Sequence, residues 1–143
     1  PRPFRPDRMI ALDTSLLIDV LIGDPRYAEA SETCIGDALA REDVVVCDAV
    51  VAEVQSMLDT SVNLMETLAT LGIRYQPTLE AAAMRAGHMN KRFRSRGGRR
   101  ERVVADFLIG AHALLQCDGL ITRDDAFFRD YFKGLKLIVP KAT

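Results

Sequence analysis

The sequence predicts an α/β fold built on a parallel sheet of about five strands, and three observations predict it. Short apolar runs with strand character recur at residues 9–12, 44–47, 73–75, 119–122 and 137–139. Segments of helical period separate the first four runs, and a shorter one precedes the last, so crossover connections make the strands parallel and cover both faces of the sheet. The 143 residues, 48% hydrophobic and 27% charged, have the size and composition of one globular domain.

Each element can be justified in chain order. Residues 1–8, PRPFRPDR, hold three prolines and three arginines and read as a flexible extension or an expression remnant, which leaves 9–143 as the folded domain. MIAL then runs through Asp13 directly into the apolar helix TSLLIDVL. After the strand VVVC, Asp48 is positioned to cap AVVAEVQSML, and Thr78, following Pro77, to cap LEAAAMRAGHM. Residues 103–116, VVADFLIGAHALLQ, are apolar nearly all round, which predicts a largely buried helix. Asp124 and Asp125 stand where one of them caps the short helix AFFRDYF before the last strand.

Several classes of function are set aside by composition. No apolar run approaches the roughly 20 residues of a membrane helix, so no membrane partner is expected. Cys34, Cys47 and Cys117 are odd in number, widely spaced and without a CxxC or His/Cys cluster, and read as reduced core thiols of a cytoplasmic protein. The net charge of -1 is unevenly spread, because residues 91–102, KRFRSRGGRRER, hold seven Lys/Arg and one Glu.

Four carboxylates interrupt apolar segments: Asp13 at the end of the first strand, Glu53 in VVAEV, Asp106 in VVADFLIG, and Asp124 after GLITR. Asp13 and Asp124 lie at the carboxyl edge of the sheet, where open parallel α/β sheets bind ligands. Asp106 shares a helix face with Val103, Gly110 and Ala113, and the small residues would let other backbone approach. If the four converge, two like charges about 4 Å apart repel by roughly 4 kcal/mol at an effective dielectric near 20. With no Lys or Arg beside the first three in sequence, a hard divalent cation such as Mg²⁺ or Mn²⁺ is the fitting neutraliser. Such ions bind phosphate and activate water. Taken singly, Asp13 also reads as a cap and Glu53 as a surface residue. Asp19 lies well into its helix and reads as an ordinary helix residue without companions, and His112 as a satisfied core or interface histidine.

ALDTSLLIDVL, AVVAEV, VVADFLIGAHAL and LITRDDAFF, in that order, resemble the PIN-domain ribonucleases and, within them, the VapC-type toxins of toxin–antitoxin pairs. The resemblance runs from Met9 to Val139 and implies a three-layer α/β/α sandwich. It places Asp13, Glu53, Asp106 and Asp124 at the family's acidic positions, where they would hold metal, with Asp125 assisting or substituting for Asp124. Thr14, Ser15 and Thr122 would orient the carboxylates or a metal-bound water. The resemblance further implies Mg²⁺- or Mn²⁺-dependent endonucleolytic cleavage of RNA, inhibition of translation, a VapB-like antitoxin that blocks the site, and a homodimer.

The basic segment runs straight into the helix of Asp106, so Arg96, Arg99, Arg100 and Arg102 are expected to contact the RNA backbone. The Gly97-Gly98 pair reads as a link between helices. Apolar positions in 28–39 and 62–71 are available for an antitoxin or a second copy. Two other readings remain open: a phosphoryl-transfer enzyme with Asp13 as nucleophile, and a non-catalytic RNA-binding module whose acids are structural.

Overall fold

A computed structural model describes residues 5–97 and 102–141. It shows five parallel strands in the order β3-β2-β1-β4-β5, where β1 is Arg5–Leu12, β2 Glu42–Val46, β3 Arg74–Tyr75, β4 Gly119–Ile121 and β5 Leu137–Ile138. Among the described residues seven helices connect them: α1 Thr14–Ile18, α2 Ala28–Leu39, α3 Asp48–Met57, α4 Leu64–Leu71, α5 Glu80–Ser95, α6 Val104–Gln116 and α7 Asp125–Tyr131. The result is the expected three-layer α/β/α sandwich. A π-helical turn, Asp19–Gly23, follows α1.

The centre of the sheet is what a doubly covered parallel sheet requires. Ile10, Ala11 and Leu12 of β1, Val44, Val45 and Val46 of β2, and Leu120 and Ile121 of β4 are all buried, so these strands read as continuous apolar runs. Strand order moves outward from β1 to β2 and β3, then returns to β4 on the other side of β1. The reversal makes the carboxyl ends of β1 and β4 the topological switch point, the crevice where such sheets bind ligands. Asp13 is locked there, its amide donating to the Ile121 carbonyl at 3.0 Å.

Four local expectations are corrected. The first strand begins at Arg5, not Met9, because Arg5 N–H donates to the Arg41 carbonyl at 2.6 Å and Arg8 pairs with Glu42 at 2.6 Å; pairing at the strand's start needs no apolar side chains. Asp48 is the first residue of α3 rather than its cap, and its carboxylate accepts from the Thr78 amide at 3.1 Å and the Thr78 hydroxyl at 2.5 Å. Thr78 is therefore spent on that bridge, and Leu79 stands at the cap of α5. Gly110 admits a side chain rather than backbone: a Cβ there would run into the Phe132 ring.

α6 is buried as expected, with Phe107, Ile109, Gly110, Ala111, His112 and Ala113 inside. His112 is satisfied by Gln76, Nε2 to Oε1 at 2.7 Å, and burial pushes its pKa down to about 4. Cys47 is buried, whereas Cys34 and Cys117 are half-buried, and all three are free thiols. No helix among the described residues is long and apolar enough to cross a membrane. α5 continues through Ser95, so the first part of the basic segment is helical, with Arg92 and Arg94 in its last turn where cations suit the helix dipole.

Candidate active site at the sheet switch point

Asp13 caps α1 and is 8% exposed. Its Oδ1 accepts from the Thr14 amide at 2.8 Å, and its Oδ2 from the Thr122 hydroxyl at 2.6 Å and the Ser15 hydroxyl at 3.4 Å. Burial, helped by the negative charges of Asp106 and Asp124, pushes its pKa up to about 6 against the bonds from Thr122 and Thr14. A carboxylate so held is fixed in direction yet short of positive charge.

The other three acids arrive from separate elements. Asp106 is the third residue of α6; its amide donates to the Val103 carbonyl and its Oδ2 accepts from the Val103 amide, both at 3.0 Å. Burial raises its pKa, the Val103 amide and Arg102 oppose that rise, and Asp124 adds to it. Glu53, in α3, accepts from the Thr14 hydroxyl at 2.7 Å through Oε1. Asp124 caps α7 by position without a side-chain cap bond, and its amide donates to the Thr122 hydroxyl at 2.9 Å. Thr14 and Thr122 thus tie Glu53 and the Asp124 backbone to Asp13. Ser15 is a weaker third tie. Asp125 turns outward to Arg129 at 3.0 Å.

Arg102 sits among the acids. Its guanidinium pairs with Asp124 Oδ2 and lies over the Phe127 ring, 4.1 Å from the centroid, and its own pKa is raised by Asp124, Asp106 and Asp13 against the cost of burial. Expected to contact the RNA backbone, it is held in this structure against Asp124, and its positive charge also acts on Asp106. Arg96 is exposed at the end of α5, and Arg99 and Arg100 lie outside the described residues.

Among the described residues no three carboxylates form a closed ligand cluster. Their hydrogen bonds explain why: Asp124 turns to Arg102, Asp106 back to its own helix start, and Glu53 to Thr14. The donor set nonetheless fits a hard divalent cation. Every donor is a carboxylate or hydroxyl oxygen, and Asp13 is a buried carboxylate repelled by two others.

A buried network next to the site was missed in the sequence. Asp19, 1% exposed, takes a two-pronged ion pair from Arg123, at 2.7 Å and 2.8 Å, and a bond from the Ser31 hydroxyl at 2.6 Å. Arg123 also lies 3.9 Å over the Tyr27 ring. Because Arg123 stands between Thr122 and Asp124, this pair anchors the segment that carries both. The one signal was an acid near the end of an apolar helix, and nothing local pointed to a partner 104 residues away.

Comparison with known proteins follows the same geometry. The fold is similar to a chain of VapBC2 from Rickettsia felis bound to a promoter DNA fragment, with a TM-score of 0.69 and 15% identity over 93% of this chain and 99% of that one. It is similar to a chain of a toxin–antitoxin complex from Klebsiella pneumoniae, with a TM-score of 0.65 and 18% identity over 94% and 99% of the two chains. VapBC-1 from nontypeable Haemophilus influenzae gives 0.67 and 20%, over 92% and 97%. No curated protein matches the sequence. At these identities the likeness is one of fold, but the family model described as PIN domain matches the sequence itself over residues 10–133, from the strand before Asp13 to beyond Asp124. The chain belongs to the PIN domain family.

Proposed function

We propose that this chain is a Mg²⁺- or Mn²⁺-dependent endoribonuclease, the VapC-type toxin of a toxin–antitoxin pair, and that it inhibits translation by cutting RNA. One observation carries the reading: the buried Asp13 carboxylate at the switch point feels the negative charges of Asp106 and Asp124, with Glu53 joined to it through Thr14. The likeness to VapBC2, VapBC-1 and the Klebsiella pneumoniae toxin–antitoxin complex supports an antitoxin of VapB type as partner. Exposed Met65 and Leu71 on α4 suit a second copy or that antitoxin.

Asp13, Asp106 and Asp124 would hold the ion, with Glu53 assisting. When bound, it supplies Lewis-acid polarisation of a phosphate oxygen and a water of lowered pKa. The protein's own part is positional. Thr122, Thr14 and Ser15 keep Asp13 in one orientation, which removes a reorganisation cost at the moment of reaction. Glu53 Oε2 has no hydrogen bond among the described residues and is available to accept a proton from the attacking water. Arg102 brings positive charge to the place where phosphate charge would grow, and Arg96, Arg99 and Arg100 would meet the RNA backbone without reading its sequence.

The test is incubation of the purified protein with total RNA, with and without Mg²⁺ or Mn²⁺, followed by mapping of new 5′ ends. Discrete ends that require the cation support the reading. An intact RNA population under every condition refutes it.

A further inference from the structure

Seven arginines among the described residues, including Arg8, Arg74, Arg123 and Arg129, pair with a carboxylate where they stand. Arg85, Arg92 and Arg96 behave differently. They make no ion pair among the described residues, and all three line one groove of about 280 Å³.

Their spacing explains the grouping. Positions 85, 89, 92 and 96 recur at the four- and three-residue steps that put side chains on one helix face, so α5 offers a stripe of three arginines around Met89. Opposite this stripe lies the end of α7 with Lys133 just beyond it, and the groove's single acid is Asp130. Four cations thus face one carboxylate in a chain whose net charge is -1. The floor is different in kind: Met89, Leu114, Tyr131 and Phe132 are apolar or aromatic. Tyr131 is partly exposed and braced edge-on by Phe93 and Phe107.

We propose that this groove binds a stretch of single-stranded RNA outside the carboxylate site, phosphates on Arg85, Arg92, Arg96 and Lys133 and a base against the Tyr131 floor. A basic rim over an aromatic floor is the chemistry that holds single strands without sequence preference. An acidic protein segment would compete for the same rim; the row of cations along one helix face beside the Tyr131 ring favours a phosphate backbone with a base at each step. Arg96 stands six residues before Arg102, so the chain itself limits their separation to about 20 Å, and one strand of RNA is long enough to reach both. This assignment rests on the ribonuclease reading for its purpose, while the binding it describes does not depend on cleavage.

The experiment measures binding of a labelled single-stranded RNA of about 20 nucleotides in chelator, across a salt series, to the full chain and to Arg85→Gln/Arg92→Gln/Lys133→Gln. A control variant removes equal charge elsewhere: Arg26→Gln/Arg74→Gln/Lys136→Gln. All six side chains are exposed and Gln retains most of each stem, and matching thermal unfolding establishes that the proteins are folded. The groove variant is expected to bind about tenfold more weakly, with the slope of log affinity against log salt reduced by about 2, near 0.7 for each lost phosphate contact. A Tyr131→Leu variant tests the floor and is expected to weaken binding severalfold with no change in salt slope. Unchanged affinity and slope in the groove variant, or an equal loss in the control, overturns the proposal, as does tighter binding of poly-glutamate than of RNA. If groove-dependent binding holds but RNA stays intact when Mn²⁺ is restored, the groove stands and the ribonuclease reading falls.

Discussion

The Thr122 hydroxyl donates to Asp13 Oδ2 at 2.6 Å while accepting from the Asp124 amide at 2.9 Å, so one side chain from the end of β4 aligns two acids of the site. Thr122 is itself fully buried, and no water competes for either bond. Thr122→Val keeps the shape and removes both. The expected result is a folded protein whose metal-dependent cleavage is about 10- to 100-fold slower and whose requirement for Mn²⁺ is raised, with Thr122→Ser restoring most of the activity. A cleavage rate measured against Mn²⁺ concentration for the three proteins checks this, and a Val variant with the wild-type curve contradicts it.

Asp13 and His112 bend stability with pH in opposite senses. The Asp13 carboxyl is raised from 3.8 to about 6, so its contribution is full below pH 3.8 and is lost as pH rises through about 6. His112 is lowered from 6.5 to about 4, so its contribution is full above pH 6.5 and is lost as pH falls through about 4. Each amounts to about 3 kcal/mol across its window. Asp13→Asn removes the first and leaves the second. Urea unfolding without divalent cations should therefore show the variant gaining on the wild type by about 3 kcal/mol between pH 4 and pH 6.5. Parallel pH profiles would contradict the burial assigned to Asp13.

Arg102 neutralises Asp124 in the absence of metal, and its other neighbours by charge are Asp106 and Asp13. A cation entering the cluster must compete with it. Arg102→Gln is expected to bind Mn²⁺ several-fold more tightly by calorimetry, while losing no more than about 1 kcal/mol of stability because the pair is partly exposed. Weaker Mn²⁺ binding in this variant would show that Arg102 assembles the site instead of competing for it.

How much of this was legible in the sequence depends on the range of each interaction. Asp13 and Asp124 could be placed because a strand end is a local feature and the sheet edge follows from topology. The parallel sheet followed from the alternation of apolar runs, since Val44 to Val46 and Leu120 to Ile121 are buried on both faces. Asp48 and Thr78 were misread as caps because each is a good cap on local rules, whereas in the fold they hydrogen-bond each other across 30 residues. The pairing of Arg102 with Asp124 was missed for a related reason: an arginine beside a basic run looks solvated until the Phe127 ring gives its guanidinium a surface.

Asp19 shows the same limit with larger consequences. Asp19→Asn leaves Arg123 without its two-pronged partner and is expected to cost about 2–3 kcal/mol, since Asp19 is buried while Arg123 keeps some solvent. Because Arg123 adjoins Thr122 and Asp124, activity should fall as well, with no change in the residues that would touch metal. Thermal unfolding and cleavage rates on the same preparation check both effects. Full stability in the variant would contradict the role of this pair as an anchor.

The central claim is that a carboxylate cluster centred on Asp13 cleaves RNA with a divalent cation. The most direct measurement compares wild type and Asp13→Asn, both verified as folded by circular dichroism, on one RNA in chelator and after addition of excess Mn²⁺. The account predicts cleavage by the wild type only after Mn²⁺ is added, and none by Asp13→Asn in either condition. Equal cleavage by the two proteins, or wild-type cleavage that persists in chelator, would contradict it.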